Sequence, residues 1–351
     1  MNSNNPHIID LDNTARVALH KLDTIPDLKS RTLFVIDSDG VMVGSLTDGD
    51  IRRGLLAGLE ISDPLKKFIN KNFKYVTNTQ QNNIAVIKKF KQEAIDLIPV
   101  LDNENRIVKI MDFKSITTIL PVSALLMAGG RGERLKPLTD NTPKPMLRVG
   151  SKPILEINID RLVNYGIDDF YISIKYLGNQ IKDYFGDGSS KGIRIQYIEE
   201  VEPRGTIGAM HAVNCKYPDL IVMNADVLTN IDFEDFYEQY IATESQMMVA
   251  SVPYKVRIPY GIMQLDDEGK INSLIEKPTY SYYSNAGIYM LKADLKQLIP
   301  QDQPFNATDL MELLINENKP IKHFPILNYW LDIGKQEDFI KAQVDIKHLS
   351  L

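Results

Sequence analysis

The sequence predicts an α/β protein in two parts: a wound, mostly parallel sheet over residues 121–351, preceded by a smaller α+β domain over residues 1–120. Three observations predict it. Residues 32–55 and 97–120 repeat one another, short apolar runs alternate with amphipathic segments beyond Pro121, and the first of those runs breaks directly into a glycine-rich loop. Length agrees, because 351 residues exceed the roughly 100–200 of a usual domain.

In the repeat, "TLFVIDSDGVMVGSLTDGDIRRGL" aligns without a gap to "LIPVLDNENRIVKIMDFKSITTIL". Val35/Val100, Asp37/Asp102, Val43/Val108, Leu46/Met111, Ile51/Ile116 and Leu55/Leu120 keep matching character. Each copy reads as strand, polar turn, strand, then a helix beginning near Asp50 or Ser115, and a helical segment precedes each ("TARVALHKL" and "NNIAVIKKFKQ"). The string "VGSLTDGDIRR" resembles the signature of the CBS-domain family, whose modules pair and often bind adenosine nucleotides between the halves. The resemblance makes Thr47 a contact to phosphate and Asp50 a contact to ribose of an adenosine nucleotide. Helix capping is the other reading of both residues. The second copy departs from the pattern at Lys109, Asp112 and Ser115, so at most one half is equipped for a nucleotide.

Beyond Pro121 the strands read as "VSALLMA", "FYISIKY", "IRIQYIE", "LIVMNAD" and "MMVASVPY". Helices read as "PILEINIDRLVNYG", "NQIKDYFG", "GTIGAMHAVN" and "FEDFYEQYI" between them. Such alternation places a ligand site at the carboxyl ends of the strands. The loop after the first strand, "AGGRGERLKPLTDNTPKPM", fits neither G-x-G-x-x-G, since Leu135 stands where the third glycine belongs, nor a P-loop. Gly129, Gly130 and Gly132 let backbone N–H groups approach an anion unobstructed, or else build a tight turn. Arg131 and Arg134 add planar charge suited to phosphate, and Pro143 and Pro145 stiffen the chain around Lys144.

Residues 125–146 resemble the signature of the sugar-1-phosphate nucleotidyltransferase family, "GGxGxRLxPLTxxxPKPM", with Glu133 and Arg148 departing from its commoner residues. The resemblance implies a Rossmann-like, GT-A-type domain in which Arg134 holds a triphosphate and Lys144 bridges the α-phosphate and an incoming sugar phosphate. Further strings follow in family order. "EVEPRGTIGAM" nominates Gly205 and Thr206 at the nucleobase, Arg204 and Ile207 leaving base identity open. "LIVMNAD" and "NYWLDIGKQEDF" nominate Asp226 and Asp332 for Mg²⁺, although Asp226 also reads as a cap for the next segment. "PYGIMQLD", "LIEKP" and "SNAGIYM" nominate Gly261, Glu276, Asn285 and Gly287 at the sugar and Lys277 at its phosphate. Glu276 and Lys277 also read as an exposed ion pair.

The reaction implied is NTP plus sugar 1-phosphate giving NDP-sugar plus pyrophosphate. A CBS pair ahead of this domain resembles the CBS-linked glucosamine-1-phosphate guanylyltransferases of legionaminic acid pathways, which implies GTP and a glucosamine or N-acetylglucosamine 1-phosphate. Mannose-1-phosphate guanylyltransferases and UTP-, dTTP- or CTP-using enzymes share the same motifs, and a non-catalytic nucleotide-sugar sensor is the remaining reading. Both families commonly dimerise, so a homo-oligomer is expected.

Composition excludes other classes. A net charge of −6 with 25% charged residues offers no general drive toward nucleic acid or anionic membrane. No apolar run approaches the ~18 residues of a spanning helix, and residues 1–10 lack the segments of a signal peptide, so a cytoplasmic protein is expected. Cys215 is the sole cysteine and reads as a buried hydrophobe at a helix end; the five histidines show no metal-ligand spacing.

Overall fold

The computed structural model describes residues 5–25, 31–77, 84–93, 95–113, 116–200, 202, 204–301 and 303–349. Two compact units emerge, Met1–Ile119 and Leu120–Leu351.

The first unit consists of two halves built alike. One contains β1 (Ile8–Asp10), α1 (Ala15–Thr24), β2 (Thr32–Ile36), β3 (Met42–Thr47) and α2 (Asp48–Leu56), with sheet order β1-β2-β3. The other contains β4 (Val76–Thr77), α3 (Ile84–Gln92), β5 (Leu97–Leu101) and β6 (Ile107–Asp112), with order β4-β5-β6. Both hairpins turn on the same device. The Asp37 carboxylate accepts from the N–H groups of Asp39 and Val41, and that of Asp102 from those of Glu104 and Arg106. Gly40 at φ 78° and Asn105 at φ 57° then take the left-handed position. Ile8, Phe34, Met42, Leu97, Leu101 and Ile107 pack into a seam shared by the halves.

The halves part company after the second hairpin. Ser115 lies outside the described residues, and residues 116–120 are not helical, so the helix expected near Ser115 is absent there. The chain has no room for it: Pro121 removes an N–H donor, and the next strand starts at Val122.

The second unit runs β7 (Val122–Met127), a short hairpin of β8 (Arg148–Val149) and β9 (Lys152–Pro153), α4 (Ile154–Asn164), β10 (Asp169–Ile174), α5 (Gly178–Phe185), β11 (Arg194–Glu199), β12 (Asp219–Asn224), β13 (Val227–Thr229) and α6 (Phe233–Ala242). It continues with β14 (Met247–Arg257), β15 (Ile262–Leu265), β16 (Ile271–Ile275), β17 (Thr279–Lys292), α7 (Ala307–Asn316), β18 (Ile321–Pro325), β19 (Trp330–Asp332) and α8 (Gln336–Asp345). Seven strands form the central sheet in the order β11-β10-β7-β12-β17-β14-β18. Neighbours are parallel except where β17 meets β12 and β14. The fold is therefore mixed α/β with a mostly parallel sheet.

The middle strands are apolar on both faces because helices cover both. β10 is buried throughout yet opens on Asp169. That carboxylate accepts from the Ser123 hydroxyl at 2.5 Å, from Arg194 Nε and Nη2 at 2.9 and 2.5 Å, and from the Lys216 N–H at 3.0 Å. A buried charge is tolerated when it is paired and fully bonded.

Three further expectations need correction. "GTIGAMHAVN" forms a 3₁₀ turn, Gly208–Ala212, rather than an α-helix: Ile207 at its head has no oxygen to cap it, and Gly205 stands at φ 77°. Cys215 accordingly follows a turn instead of ending a helix, and lies half-buried against the core. The apolar strand expected to stop at Tyr254 extends to Arg257 as β14. Among the described residues no helix is long and apolar enough to cross a membrane.

Candidate active site

A cleft of about 640 Å³ opens where β7, β10, β11 and β12 end. Gly129, Gly130, Lys144, Gly205, Thr206 and Asp226 line it, joined by Lys175, Glu200, Arg204 and Asn224. One wall is the glycine loop. Gly132 takes φ 62°, and a Cβ there would stand 3.0 Å from both Lys144 Cβ and Thr139 Cγ2. The Thr139 hydroxyl donates to the Gly132 carbonyl at 2.9 Å, which staples the loop to the chain carrying Lys144. Gly130 borders open space, with nothing within 4 Å of an added Cβ. Arg131 lies over the Tyr176 ring, 5.3 Å from its centroid.

Lys144 is only 9% exposed and sits in a 3₁₀ turn set by its flanking prolines. Its ammonium donates to Asp226 Oδ2 and lies 4.0 Å from Asp332 Oδ1. The two acids, remote in sequence, meet through strand pairing: β13 and β19 run antiparallel with Val227 opposite Asp332, and the Ile333 N–H donates to the Asp226 carbonyl at 3.1 Å. Burial first, and then the facing Asp226 carboxylate, push the Asp332 acid above its ordinary range, against the pull of Lys144 and Arg134. Arg134 reaches the same corner, its Nη2 lying 3.5 Å from where a Cβ on Gly334 would stand. Asp226 does not cap α6; Asp232 does, accepting from Glu234 and Asp235 N–H.

Gly205 and Thr206 line the opposite wall. A Cβ on Gly205 would fall 2.5 Å from the Phe305 carbonyl, so only glycine fits at its φ of 77°. The Thr206 hydroxyl accepts from the Ala307 N–H at 2.9 Å, tying the wall to the head of α7.

Of the residues expected at a sugar, Asn285 accepts from the Gly287 N–H and donates to the Tyr289 hydroxyl, both at 2.9 Å. Gly287 at φ 71° packs against Asn224 in the cleft wall. Gly261, Glu276 and Lys277 do not line the cleft. They lie at the ends of the β15–β16 hairpin, where Glu276 and Lys277 form an exposed pair at 3.8 Å and Glu276 Oε2 stands 3.0 Å from the Cβ position of Gly261. In the other unit, Thr47 and Asp50 form a capping box on α2, and Arg53 pairs with Asp50 at 2.5 Å.

Several cleft residues went unread in the sequence. Glu200 opens the "EVEPRGTIGAM" string and Asn224 lies within "LIVMNAD", so both stand inside motifs that gave a signal, without being nominated themselves. Asn158, which lies behind the cleft rather than in its lining, had none: it is buried on α4 and donates to the Ala225 carbonyl at 3.2 Å, fixing the peptide that carries Asp226.

A family model described as nucleotidyl transferase matches residues 123–348. The chain belongs to the nucleotidyl transferase family. The match takes in both walls of the cleft and leaves the first unit outside. Similar proteins include the bifunctional protein GlmU of Methanocaldococcus jannaschii, 33% identical over 63% of this chain and 53% of that one. Mannose-1-phosphate guanylyltransferase of Mycobacterium tuberculosis is 29% identical over 64% of each chain. UTP–glucose-1-phosphate uridylyltransferase of Synechocystis is 28% identical over 63% of this chain and 62% of the relative. The chain thus spans between about half and two thirds of the length of these nucleotidyl transferase relatives. Among solved structures, HddC from Yersinia pseudotuberculosis is 27% identical with a TM-score of 0.51, covering 64% of this chain and 99% of that one. A glucose-1-phosphate thymidylyltransferase, titled putative, from Bacillus anthracis shares the fold at 21% identity and a TM-score of 0.53, covering 66% and 97%.

Proposed function

We propose that the chain transfers a nucleotidyl group from a nucleoside triphosphate to a sugar 1-phosphate, releasing pyrophosphate. The observation that carries this is that Lys144 and Asp226 line one cleft beside a bare glycine loop, with Asp332 meeting Lys144 at its edge. The sugar phosphate is already an anionic nucleophile, so the enzyme need not activate it. The barrier lies in bringing it in line with the α-phosphorus against like charge, and positioning with charge neutralisation removes that barrier. Lys144 offsets charge between the α-phosphate and the incoming phosphate, Lys277 meets the sugar phosphate from the hairpin, and Arg134 with the Gly129, Gly130 and Gly132 amides holds the β- and γ-phosphates.

Asp226 and Asp332 fit Mg²⁺: two hard oxygen donors converge there, leaving further positions to phosphate and water. Bound there, it would draw charge from the α-phosphoryl oxygens. Lys144, now bonded to Asp226, would then be released toward the phosphates.

The substrate reading is GTP with a glucosamine or N-acetylglucosamine 1-phosphate, by resemblance to the CBS-linked guanylyltransferases of legionaminic acid pathways. A guanylyltransferase among the relatives supports GTP, and a uridylyltransferase among them keeps UTP as the alternative. Gly205 and Thr206 are the nucleobase contacts in this reading; Gly261, Glu276, Asn285 and Gly287 are the sugar contacts. The first unit reads as a CBS pair, its matched Asp37 and Asp102 turns supporting the repeat. An adenosine nucleotide at Thr47 and Asp50 would have to take over a carboxylate that already accepts from Thr47 and Arg53. The assembly proposed is a homo-oligomer.

Incubating the full chain and Mg²⁺ with each NTP and a panel of sugar 1-phosphates, while following pyrophosphate, tests the reading. Release that requires both substrates is expected; no release with any pair overturns it.

A further inference from the structure

β14 and β17 run on past the central sheet. β18 pairs with β14 only as far as Ser251 and β12 with β17 only from Ile288, so residues 252–257 and 279–284 form a two-stranded ribbon. The β15–β16 hairpin continues that ribbon beyond a break at residues 258–261 and 276–278, where the Ile258 N–H donates to the Pro278 carbonyl at 3.0 Å. Ribbon and hairpin make one arm. Opposed residues of an antiparallel pair share a face, and residues two apart along each strand join them. On the hairpin this puts Met263 and Leu265 with Leu274 and Ile271, all apolar and each more than half exposed. The polar pair, Gln264 and Ser273, lies on the other face and bonds to itself at 2.6 Å. On the ribbon Tyr254 stands opposite Tyr282, both again more than half exposed. A two-stranded hairpin is marginal in water, and an apolar face of this kind marks a contact surface. The arm is also polar along its length: its tip carries exposed Asp266, Asp267 and Glu268 against one cation, Lys270, while the ribbon beside the break carries exposed Lys255 and Arg257.

We propose that a second copy of this chain covers the arm, the two arms packing antiparallel about a two-fold axis, and that the sugar side of the site is incomplete until it does. The proposal gives the oligomer a face, and its consequence for the sugar rests on the transferase reading. Area fits the occupant. At ~60–120 Å² for a Leu-sized side chain and about 150–250 Å² for an aromatic one, the six residues expose roughly 450 Å² of apolar surface. That is the apolar share of a standard interface of about 800 Å² per partner. Charge fits it too, because antiparallel packing lays the acidic tip of each arm against the basic ribbon of the other, and a two-fold axis makes that contact twice. Gly261, Glu276 and Lys277 stand at the break, and Lys277 takes φ 47°, a conformation that a residue with a side chain keeps only where its surroundings fix it. A partner gripping the arm on both sides of the break supplies those surroundings. Without it, Glu276 and Lys277 stay the exposed pair described above, outside the cleft.

Sedimentation of the full chain over a range of concentrations tests the inference. Wild type is expected to self-associate, and Leu274→Glu to weaken that association at least about tenfold. Arg257→Glu should weaken it as well, and adding Asp267→Arg to Arg257→Glu should restore it, since the exchanged charges still meet. In the dissociated Leu274→Glu variant, KM for the sugar 1-phosphate should rise while NTP affinity, read by calorimetry, stays at the wild-type value. Circular dichroism reports whether that variant is folded; if it is not, Met263→Ser takes its place. A monomeric wild type would overturn the proposal, and so would unchanged association in the folded variants or an unchanged sugar-phosphate KM once they dissociate. Normal pyrophosphate release by a monomer would sink this inference alone, whereas no release with any substrate pair would sink the transferase reading.

Discussion

Lys144 is placed by main chain more than by its own bonds. Two prolines fix the backbone around it, and Gly132 passes so close to its stem that an added Cβ would stand 3.0 Å from Lys144 Cβ. Glycines around the cleft divide into those the fold needs and those a ligand needs. Gly287→Ala sets a Cβ 2.5 Å from Asn224 Nδ2 at φ 71°. It should cost about 1–3 kcal/mol of stability and lower turnover by displacing Asn224, as read by urea unfolding and pyrophosphate release. Gly130→Ala meets nothing within 4 Å. Its stability should stay within about 0.5 kcal/mol of wild type while nucleotide affinity falls, as calorimetry would show. Sequence alone could not make that division. Three glycines in four residues announced an anion loop, but which of them faced solvent depended on neighbours brought from Thr139, Lys175 and Glu200.

Elements whose signal was local were the legible ones. β7, β10 and β12 read as apolar runs because helices cover both faces of the sheet, β11 reads at the sheet edge from its alternating RIQYIE pattern, and α4 and α6 read from periodicity. The 3₁₀ turn at Gly208–Ala212 misled because its composition suits a helix while its missing cap does not. The β13–β19 pairing was invisible in sequence, since a register between remote three-residue strands leaves no local trace; yet it delivers Asp332 to Asp226. Resemblance, not spacing, supplied that pair. Two tests belong at this scale. Asp232→Ala removes the cap of α6 and should cost about 1 kcal/mol in denaturant unfolding. Asp169→Ala strips the partner from Arg194, Ser123 and Lys216 together; Arg194 is half exposed, so the loss is that of the unsatisfied buried donors and should cost about 1–3 kcal/mol by the same measurement.

At the scale of the molecule, two units with separate cores should melt as two events. Thr47→Ala should lower only the transition of the first unit, by about 0.5–2 kcal/mol. GTP at a hundred times its Kd should raise only that of the second, by about 2.7 kcal/mol. Differential scanning calorimetry of the full chain separates the two effects.

The central claim is that Lys144 and Asp226 act on one polyphosphate. Pyrophosphate release by folded Lys144→Ala and Asp226→Ala, measured against wild type with the best substrate pair, tests it most directly. Lys144→Ala should lose about 10²–10³-fold in kcat, and Asp226→Ala should lose detectable turnover. Near-normal turnover in either folded variant would contradict the account.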